Sequence, residues 1–244
     1  MPQHSTLTTI NMTTPNRHIN AALIDMDGTI YDSMHNHTLA WHRMITELGF
    51  TAERERFYLY EGMTGRQTIT LLFREFANRE PSAEEIEHLY HLKTEYFNQL
   101  PKVGPMPGAV RFLNRLKELG IKRVLVTGSG QKSLFDRLEV DFPGIFSRDM
   151  MITSADVENG KPHPEPYLRA MAKAGVSPNE AIVIENAPIG VSAGHAAGAF
   201  TVGLTTGPIP AETLKGAGAD IVLPSMEALA DITDKLFSNP TSLI

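Results

Sequence analysis

The chain has 244 residues, 42% of them hydrophobic, and a formal net charge of −6, which suffices for one large domain or two smaller ones with a full core. Its acidic balance, without a basic stripe, argues against nucleic acid as a partner, and no apolar run approaches the roughly 20 residues of a membrane span. The absence of cysteine fits a reducing cytoplasm, where we expect the protein to act as a monomer or weak homo-oligomer.

The first predicted strand covers 21–24, where small and apolar residues follow one another without polar interruption. The residues before it, 1–18, are mostly polar and contain no apolar core of a signal peptide, so we expect a flexible tail. After the strand come Asp25 and Asp27, and then Gly28, which permits a sharp turn. Because residues i and i+2 of an extended chain share a face, the two carboxylates are expected to converge at the strand's carboxyl end.

Residues 34–104 carry helical patterns and no convincing strand, and they end in a loop rich in proline and glycine over 101–107. The predicted helices of this segment are 37–48, 64–76 and 82–97. The last of these opens with Ser82 and Glu85, the spacing of a capping box.

Beyond that loop the pattern changes to alternating strands and helices. Strands are predicted at 122–127, 149–153, 181–185, 200–204 and 220–223, and helices at 109–119, 132–139, 166–174, 189–197 and 225–236. This alternation predicts an α/β fold, a Rossmann-like parallel sheet with helices on both faces. Because the first strand precedes the helical segment, 34–104 is most simply an insertion into a core formed by 19–33 and 105–244.

Polar residues follow three further predicted strands or loops. Thr127, Gly128 and Ser129 end a buried strand, and their exposed N–H groups would suit an anion, although a simple tight turn explains this loop, taken alone, slightly better. Lys161 could be an ordinary solvated charge, but the prolines that follow it stiffen the backbone that presents it. Glu185 and Asn186 offer oxygen ligands of the kind Mg²⁺ prefers.

These motifs, in this order, resemble the haloacid dehalogenase superfamily, and the helical insertion resembles the cap of its beta-phosphoglucomutase-like branch. The resemblance covers nearly everything from residue 21 to residue 236. It implies a Mg²⁺-dependent enzyme that transfers or hydrolyses the phosphoryl group of a small phosphorylated substrate. It also implies that 34–104 form a cap over the active site.

The resemblance assigns a role to each motif residue. Asp25 would be the nucleophile that takes the phosphoryl group, and Asp27 the general acid and base. Thr127 would hydrogen-bond the transferring phosphoryl group, with Gly128 and Ser129 also contacting substrate, and Lys161 would neutralise charge. The magnesium ligands would be Asp25, the backbone carbonyl of Asp27 and the fourth motif. Independently of any family, a carboxylate can approach an anionic phosphorus only where cations offset the repulsion.

The fourth motif departs from the family, which often has an Asp pair or Asp-Ser where this chain has Glu185-Asn186. Either residue could be the metal ligand. In the cap, His37, Glu61 and Arg66 are the candidates for substrate contact, although Arg66 could equally be a solvated residue at a helix start. Sugar-phosphate mutases of the branch tend to have Lys where this chain has Glu61.

The favoured function is hydrolysis of a small phosphorylated metabolite, with inorganic pyrophosphate as the most specific candidate. The alternative is a beta-phosphoglucomutase, which needs anion-binding residues in its cap, where Glu61 would repel a second phosphate. A dehalogenase is disfavoured because dehalogenases of the family do not need Asp27. A non-catalytic binding module is disfavoured because all the polar motif positions are present together.

Overall fold

The computed structural model describes residues 18–130 and 133–237, so the predicted tail lies outside the described residues except for His18. Its strands are β1 (Ala21–Ile24), β2 (Lys122–Val126), β3 (Met151–Ile152), β4 (Ala181–Glu185), β5 (Phe200–Leu204) and β6 (Ile221–Leu223). They form one parallel six-stranded sheet in the order 3-2-1-4-5-6, which confirms the predicted fold class. The order reverses between β1 and β4, the kind of position where open α/β sheets bind ligands.

The helices cover the sheet and build the insertion. They are α1 (Met34–Glu47), α2 (Gly65–Leu72), α3 (Ala83–Gln99), α4 (Ala109–Glu118), α5 (Ser133–Asp141), α6 (Glu165–Ala174), α7 (Pro188–Ala196), α8 (Ala211–Gly216), α9 (Met226–Asp231) and α10 (Thr233–Phe237). A 3-10 helix at Arg54–Tyr60 and the short helix α8 were not predicted.

Several predicted boundaries were wrong. The helix predicted over 225–236 divides into α9 and α10, because the backbone leaves helical geometry at Ile232. The strand predicted over 149–153 shrinks to the two residues of β3, since a 3-10 turn occupies Arg148–Met150. The helix predicted over 64–76 is regular only in α2 and continues as a π-helical turn over Phe73–Ala77.

The central strands are buried on both faces, as the apolar run 21–24 predicted. Ala22 and Ile24 belong to the core cluster that contains residues of α4, α9 and α10. Ala21 and Leu23 point to the opposite face, where α6 and α7 supply the packing partners. The sheet is therefore a rigid layer between two apolar clusters, and polar side chains that follow its strands are held at its edge.

The inserted segment has an apolar cluster of its own, built entirely from residues between Ala40 and Phe97. Capping boxes fix the starts of two of its helices: Thr64 with Gln67 opens α2, and Ser82 with Glu85 opens α3 as predicted. Across the described ranges, no helix is both long and apolar enough to cross a membrane.

Candidate active site

Three polar residues meet at the carboxyl edge of the sheet because their strands are in register. Ile24 of β1 pairs with Leu125 of β2 and with Ile184 of β4. Asp25 follows β1, Glu185 is the last residue of β4, and Thr127 follows β2. Because β1 lies between β2 and β4, the buried carboxyl group of Asp25 is flanked by the buried residues Thr127 and Glu185.

Lys161 joins these strands from the loop before α6. Its ammonium donates to Asp25 Oδ1 at 2.6 Å, to Glu185 Oε1 at 2.6 Å and to the carbonyl of Val126 at 3.1 Å. All its donors are therefore used, and its side chain is only 1% exposed. Burial alone would lower the pKa of Lys161, but the charges of Asp25 and Glu185 outweigh burial and raise it.

The pKa of Asp25 is higher than that of an ordinary aspartate. Burial, and then the charge of Glu185, raise the pKa of Asp25 to about 7, although Lys161 works in the opposite direction. The other oxygen of Asp25, Oδ2, lies 3.1 Å from the hydroxyl of Thr29. The same hydroxyl lies 3.1 Å from Asn186 Oδ1, and one hydroxyl can donate to only one of the two oxygens at a time.

Asp27 contacts one residue just before the inserted segment and one residue within it. Its Oδ1 accepts a hydrogen bond of 2.6 Å from Ser33 Oγ and lies 3.0 Å from His37 Nε2. Burial by itself would raise the pKa of Asp27, but the interaction with His37 and the hydrogen bond from Ser33 lower it. Asp27 is therefore held as a carboxylate in this arrangement.

Lys93, which sequence reasoning missed, contacts the other ring nitrogen of His37. Its Nζ lies 2.7 Å from His37 Nδ1, and burial lowers the pKa of Lys93 to about 8. An ammonium can only donate, so Nδ1 of His37 accepts and the proton on Nε2 is directed at Asp27. The sequence pattern could have indicated Lys93, because it lies on the buried face of α3, between Leu89 and Tyr96.

Glu185 has no oxygen without a protein partner. Oε1 accepts from Lys161 and, at 2.8 Å, from the hydroxyl of Tyr167, another residue that sequence reasoning missed. Oε2 accepts from the backbone N–H groups of Asn186 at 3.0 Å and Ala187 at 3.1 Å. Glu185 is thus fixed as a partner of Lys161.

Glu61 reaches from the inserted segment into the core. Its Oε1 accepts from Asn186 Nδ2 at 2.6 Å, and burial, together with the charges of Asp25 and Glu185, raises its pKa well above the usual value. A side chain on Gly28 would overlap both groups, because a Cβ there would collide with Asn186 and Glu61. The tight turn at Gly28 is what lets the Glu61–Asn186 pair approach β1.

The oxygen-rich surroundings suit a hard cation. Asp25, Glu61 and Glu185 are buried carboxyl groups, Asn186 adds an amide oxygen, and Lys161 is the buried cation bonded to this group. Within the described ranges, no three His, Cys, Asp or Glu side chains converge as a ready-made metal cluster. The reason is visible in the contacts: Glu185 turns to Lys161 and backbone amides, and the residue facing Thr29 and Asp25 is an asparagine.

The cavity between the inserted segment and the residues that follow the strands is small, about 60 Å³. Sites for drug-sized ligands are typically about 300–1,000 Å³, so this space fits a phosphate-sized group rather than a sugar. It brings together most predicted site residues: Asp25, Asp27, His37, Glu61, Thr127, Gly128 and Ser129. Lys161 lies behind this lining and donates a hydrogen bond to Asp25.

The loop after β2 closes against the insertion. A Cβ on Gly128 would lie 2.7 Å from the carbonyl of Gly62 and 2.6 Å from that of Met63, so only glycine permits this approach. The hydroxyl of Thr127 accepts from the N–H of Ser129 at 3.0 Å, which leaves the hydroxyl proton to donate to a ligand.

Arg66 is a predicted site residue that lies away from this cavity and from the residues bonded to its lining. It is exposed and lines a separate groove of about 640 Å³ on the outer side of α2 and α3. Gly65 precedes it at the first position of α2, so the helix turns the Arg66 side chain away from the cavity.

Comparison with known proteins gives the family. The model of the "Haloacid dehalogenase-like hydrolase" family matches residues 22–204. Hexitol phosphatase A of Escherichia coli is 29% identical over 85% of this chain and 91% of its own, and glycerol-1-phosphate phosphohydrolase 1 of Saccharomyces cerevisiae is 32% identical over 86% and 84%. A solved structure from Bacteroides vulgatus, assigned provisionally as a beta-phosphoglucomutase, is 45% identical with a TM-score of 0.86 and covers 91% of this chain and 90% of that one.

The chain belongs to the haloacid dehalogenase-like hydrolases, in the beta-phosphoglucomutase-like branch. It is an enzyme of the phosphatase or phosphotransferase type, as its sequence motifs predicted.

A first prediction concerns Gly28. Its φ is +78°, and a Cβ would displace Asn186 and Glu61, so we expect Gly28→Ala to abolish most activity. The matched control is Gly49→Ala, where φ is +80° but nothing lies within 4 Å of the added atom. Both should lose roughly 1–2 kcal/mol of stability from backbone strain, measured by urea unfolding. Equal activity in the two variants would show that the close approach at Gly28 is unimportant.

Proposed function

We propose that the enzyme is a Mg²⁺-dependent phosphohydrolase that acts on a small phosphorylated metabolite through an aspartyl-phosphate at Asp25. The observation that carries this proposal is the buried contact of Lys161 with Asp25 at the carboxyl end of β1, beside a phosphate-sized cavity. Asp25 and Glu185 both lie 2.6 Å from this buried ammonium, but of the two only Asp25 lines the cavity, which Thr127 also lines.

The first step forms a bond between a carboxylate oxygen of Asp25 and phosphorus, and breaks the bond between phosphorus and the leaving group. An alkoxide leaving group takes its proton from the acid form of Asp27, which becomes a carboxylate. Lys161 favours the ionised form of Asp25 by lowering its pKa, which burial and Glu185 together raise to about 7, and the same ammonium offsets the negative charge of the phosphoryl oxygens. The Thr127 hydroxyl donates to one of those oxygens. In the second step water attacks phosphorus, Asp27 takes its proton, and the bond to Asp25 breaks to release inorganic phosphate.

Asp25, the backbone carbonyl of Asp27 and the amide oxygen of Asn186 are the proposed magnesium ligands. Glu185 is excluded from direct ligation in this proposal, because both its oxygens already accept hydrogen bonds from the protein. Bound there, the cation would offset charge on the phosphoryl group as the carboxylate approaches. Glu61 accepts a hydrogen bond from Asn186, so its carboxyl group would lie next to these ligands.

The substrate class follows from size and charge. Relatives are named for hexitol and glycerol phosphates, which makes phosphorylated sugars and polyols the broad class. Within the small phosphates we propose inorganic pyrophosphate as the most specific candidate, on the grounds of the 60 Å³ cavity. Its leaving group is phosphate, a much weaker base than an alkoxide, so it needs little help from an Asp27 whose pKa is lowered.

A beta-phosphoglucomutase is the second candidate, and the likeness to the Bacteroides vulgatus structure favours it. Such an enzyme must hold a sugar bisphosphate while the cap is closed. The buried carboxyl group of Glu61, whose pKa burial raises well above the usual value, would then face the second phosphate. At a separation of about 6 Å and an effective dielectric of 20, the repulsion of its ionised form costs roughly 3 kcal/mol. We therefore favour hydrolysis.

The testing experiment is a phosphate-release screen of the purified protein with pyrophosphate, glycerol 1-phosphate, a hexitol phosphate and glucose 6-phosphate, with Mg²⁺ or with chelator. We expect Mg²⁺-dependent release, with the highest kcat/KM for pyrophosphate. Efficient conversion of beta-glucose 1-phosphate to glucose 6-phosphate, with pyrophosphate untouched, would overturn the proposal in favour of the mutase.

A second prediction tests Asp27. We expect Asp27→Asn to lower the turnover of alkyl phosphates by roughly 10²–10⁴-fold, the usual contribution of a general acid or base. The loss should be smaller for p-nitrophenyl phosphate, whose leaving group needs little protonation. Steady-state kinetics with both substrates measure the difference. Equal losses for the two would contradict a role for Asp27 as acid.

A third prediction tests Glu61. Glu61→Gln keeps an oxygen that can accept from Asn186 but removes the charge, so we expect it to raise the Mg²⁺ concentration needed for half-maximal activity. Glu61→Lys should weaken pyrophosphate hydrolysis further, because an ammonium beside the proposed ligands repels the cation. The matched control is Glu53→Gln, an exposed carboxylate in the same inserted segment. If Glu61→Gln and Glu53→Gln require the same Mg²⁺ concentration as the parent enzyme, Glu61 does not assist the cation.

A further inference from the structure

One side chain separates the small active-site cavity from a much larger space outside it. The cavity of about 60 Å³ and the outer groove of about 640 Å³ share the residues Gly65 and Tyr90. Gly65 is buried and has no side chain, so the aromatic ring of Tyr90 is the partition between the two spaces.

The position of this ring is fixed from two sides. Its Cγ–Cε2 edge lies against the Cα of Gly65, so closely that a Cβ on Gly65 would overlap the ring. Its hydroxyl accepts a hydrogen bond of 3.3 Å from the N–H of Gly130, in the loop after β2. The side chain of Tyr90 therefore extends from α3 of the inserted segment to the core loop that carries Thr127 and Gly128.

The groove beyond the ring combines polar and apolar side chains. Its polar lining comes from Thr64, Arg66, Glu87, Ser154 and Glu158, and its apolar lining includes Ala83, Ile86 and Val157. Arg66 has no hydrogen bond or ion pair with any residue of the described ranges, so its donors are open to a ligand. Hydroxyl-rich chains, such as those of polyols and sugars, are recognised by such mixed donors and acceptors, and 640 Å³ is ample for a hexose.

We propose that Tyr90 is a specificity-determining residue that limits the enzyme toward compact phosphates by closing the active-site cavity from the groove beyond α2 and α3. This inference rests on the proposed phosphohydrolase function and adds a residue that restricts substrate size on this side of the cavity. A phosphate ester with a longer carbon chain reaches this groove when that chain can pass the Tyr90 ring.

The test compares kcat/KM for pyrophosphate and for a hexitol 6-phosphate in four proteins: the parent, Tyr90→Ala, Tyr90→Phe and Ile86→Ala. We expect Tyr90→Ala to shift the ratio toward the hexitol phosphate by about tenfold or more, in the range that pocket shape supplies. Tyr90→Phe keeps the ring on Gly65 and should leave the ratio within about twofold, although it loses the bond to Gly130.

Ile86→Ala is the matched control, because Ile86 lies on α3 one turn before Tyr90 and lines only the outer groove. It enlarges the groove without opening the partition, so the ratio should stay at the parent value. Circular dichroism and thermal unfolding verify that each variant is folded. If Tyr90→Ala does not fold, Tyr90→Leu takes its place, because it shortens the side chain but keeps apolar packing. We expect it to shift the ratio in the same direction, toward the hexitol phosphate.

The outcomes separate this inference from the proposed function. An unchanged ratio in folded Tyr90→Ala or Tyr90→Leu, or an equal loss for both substrates, would overturn the role of Tyr90 while the parent remains a phosphatase. A parent that already prefers the hexitol phosphate would overturn it as well. A parent that releases no phosphate from any substrate would overturn the proposed function itself.

Discussion

The site depends on one buried ammonium. Lys161 donates to Asp25, Glu185 and a carbonyl of β2, so it ties together the ends of three neighbouring strands. Without it, two carboxyl groups would stand buried with no cation bonded to either, a situation that costs several kcal/mol for each uncompensated charge. The apolar layers on both sides of the sheet hold these groups in place, and the low polarity of the layers strengthens every charge interaction at the edge.

The inserted segment is joined to the core through similar polar contacts. Glu61 bonds to Asn186, His37 lies against Asp27, and the backbone of 62–63 rests on Gly128. Each contact places a group from the insertion beside a residue of the core motifs. The cavity is therefore a property of both parts of the chain together, and its small volume follows from this close fit. A motion that separates the parts would break these contacts and enlarge the space.

Much of this arrangement was predictable because it follows from local patterns. The apolar run 21–24, the turn at Gly28 and the alternation after residue 105 predict the sheet, and parallel strands place Asp25 and Glu185 at one edge. The contacts of long side chains were not predictable, since they depend on how the insertion packs. Lys93 and Tyr90 lie on α3, far along the chain from the residues they touch. Arg66 was expected near the substrate, but the start of α2 directs it outward, and only the fold reveals that direction.

The central claim is that Asp25 carries the phosphoryl group during turnover. The most direct measurement is a rapid acid quench of the Asp27→Asn variant during reaction with p-nitrophenyl phosphate and Mg²⁺, followed by peptide mass spectrometry. Loss of the base at Asp27 slows the release of the intermediate, so the account predicts one phosphoryl group on Asp25, absent when Asp25→Asn is added. Phosphate release by the parent enzyme with no phosphoryl group on Asp25, or with the group on another residue, would contradict it.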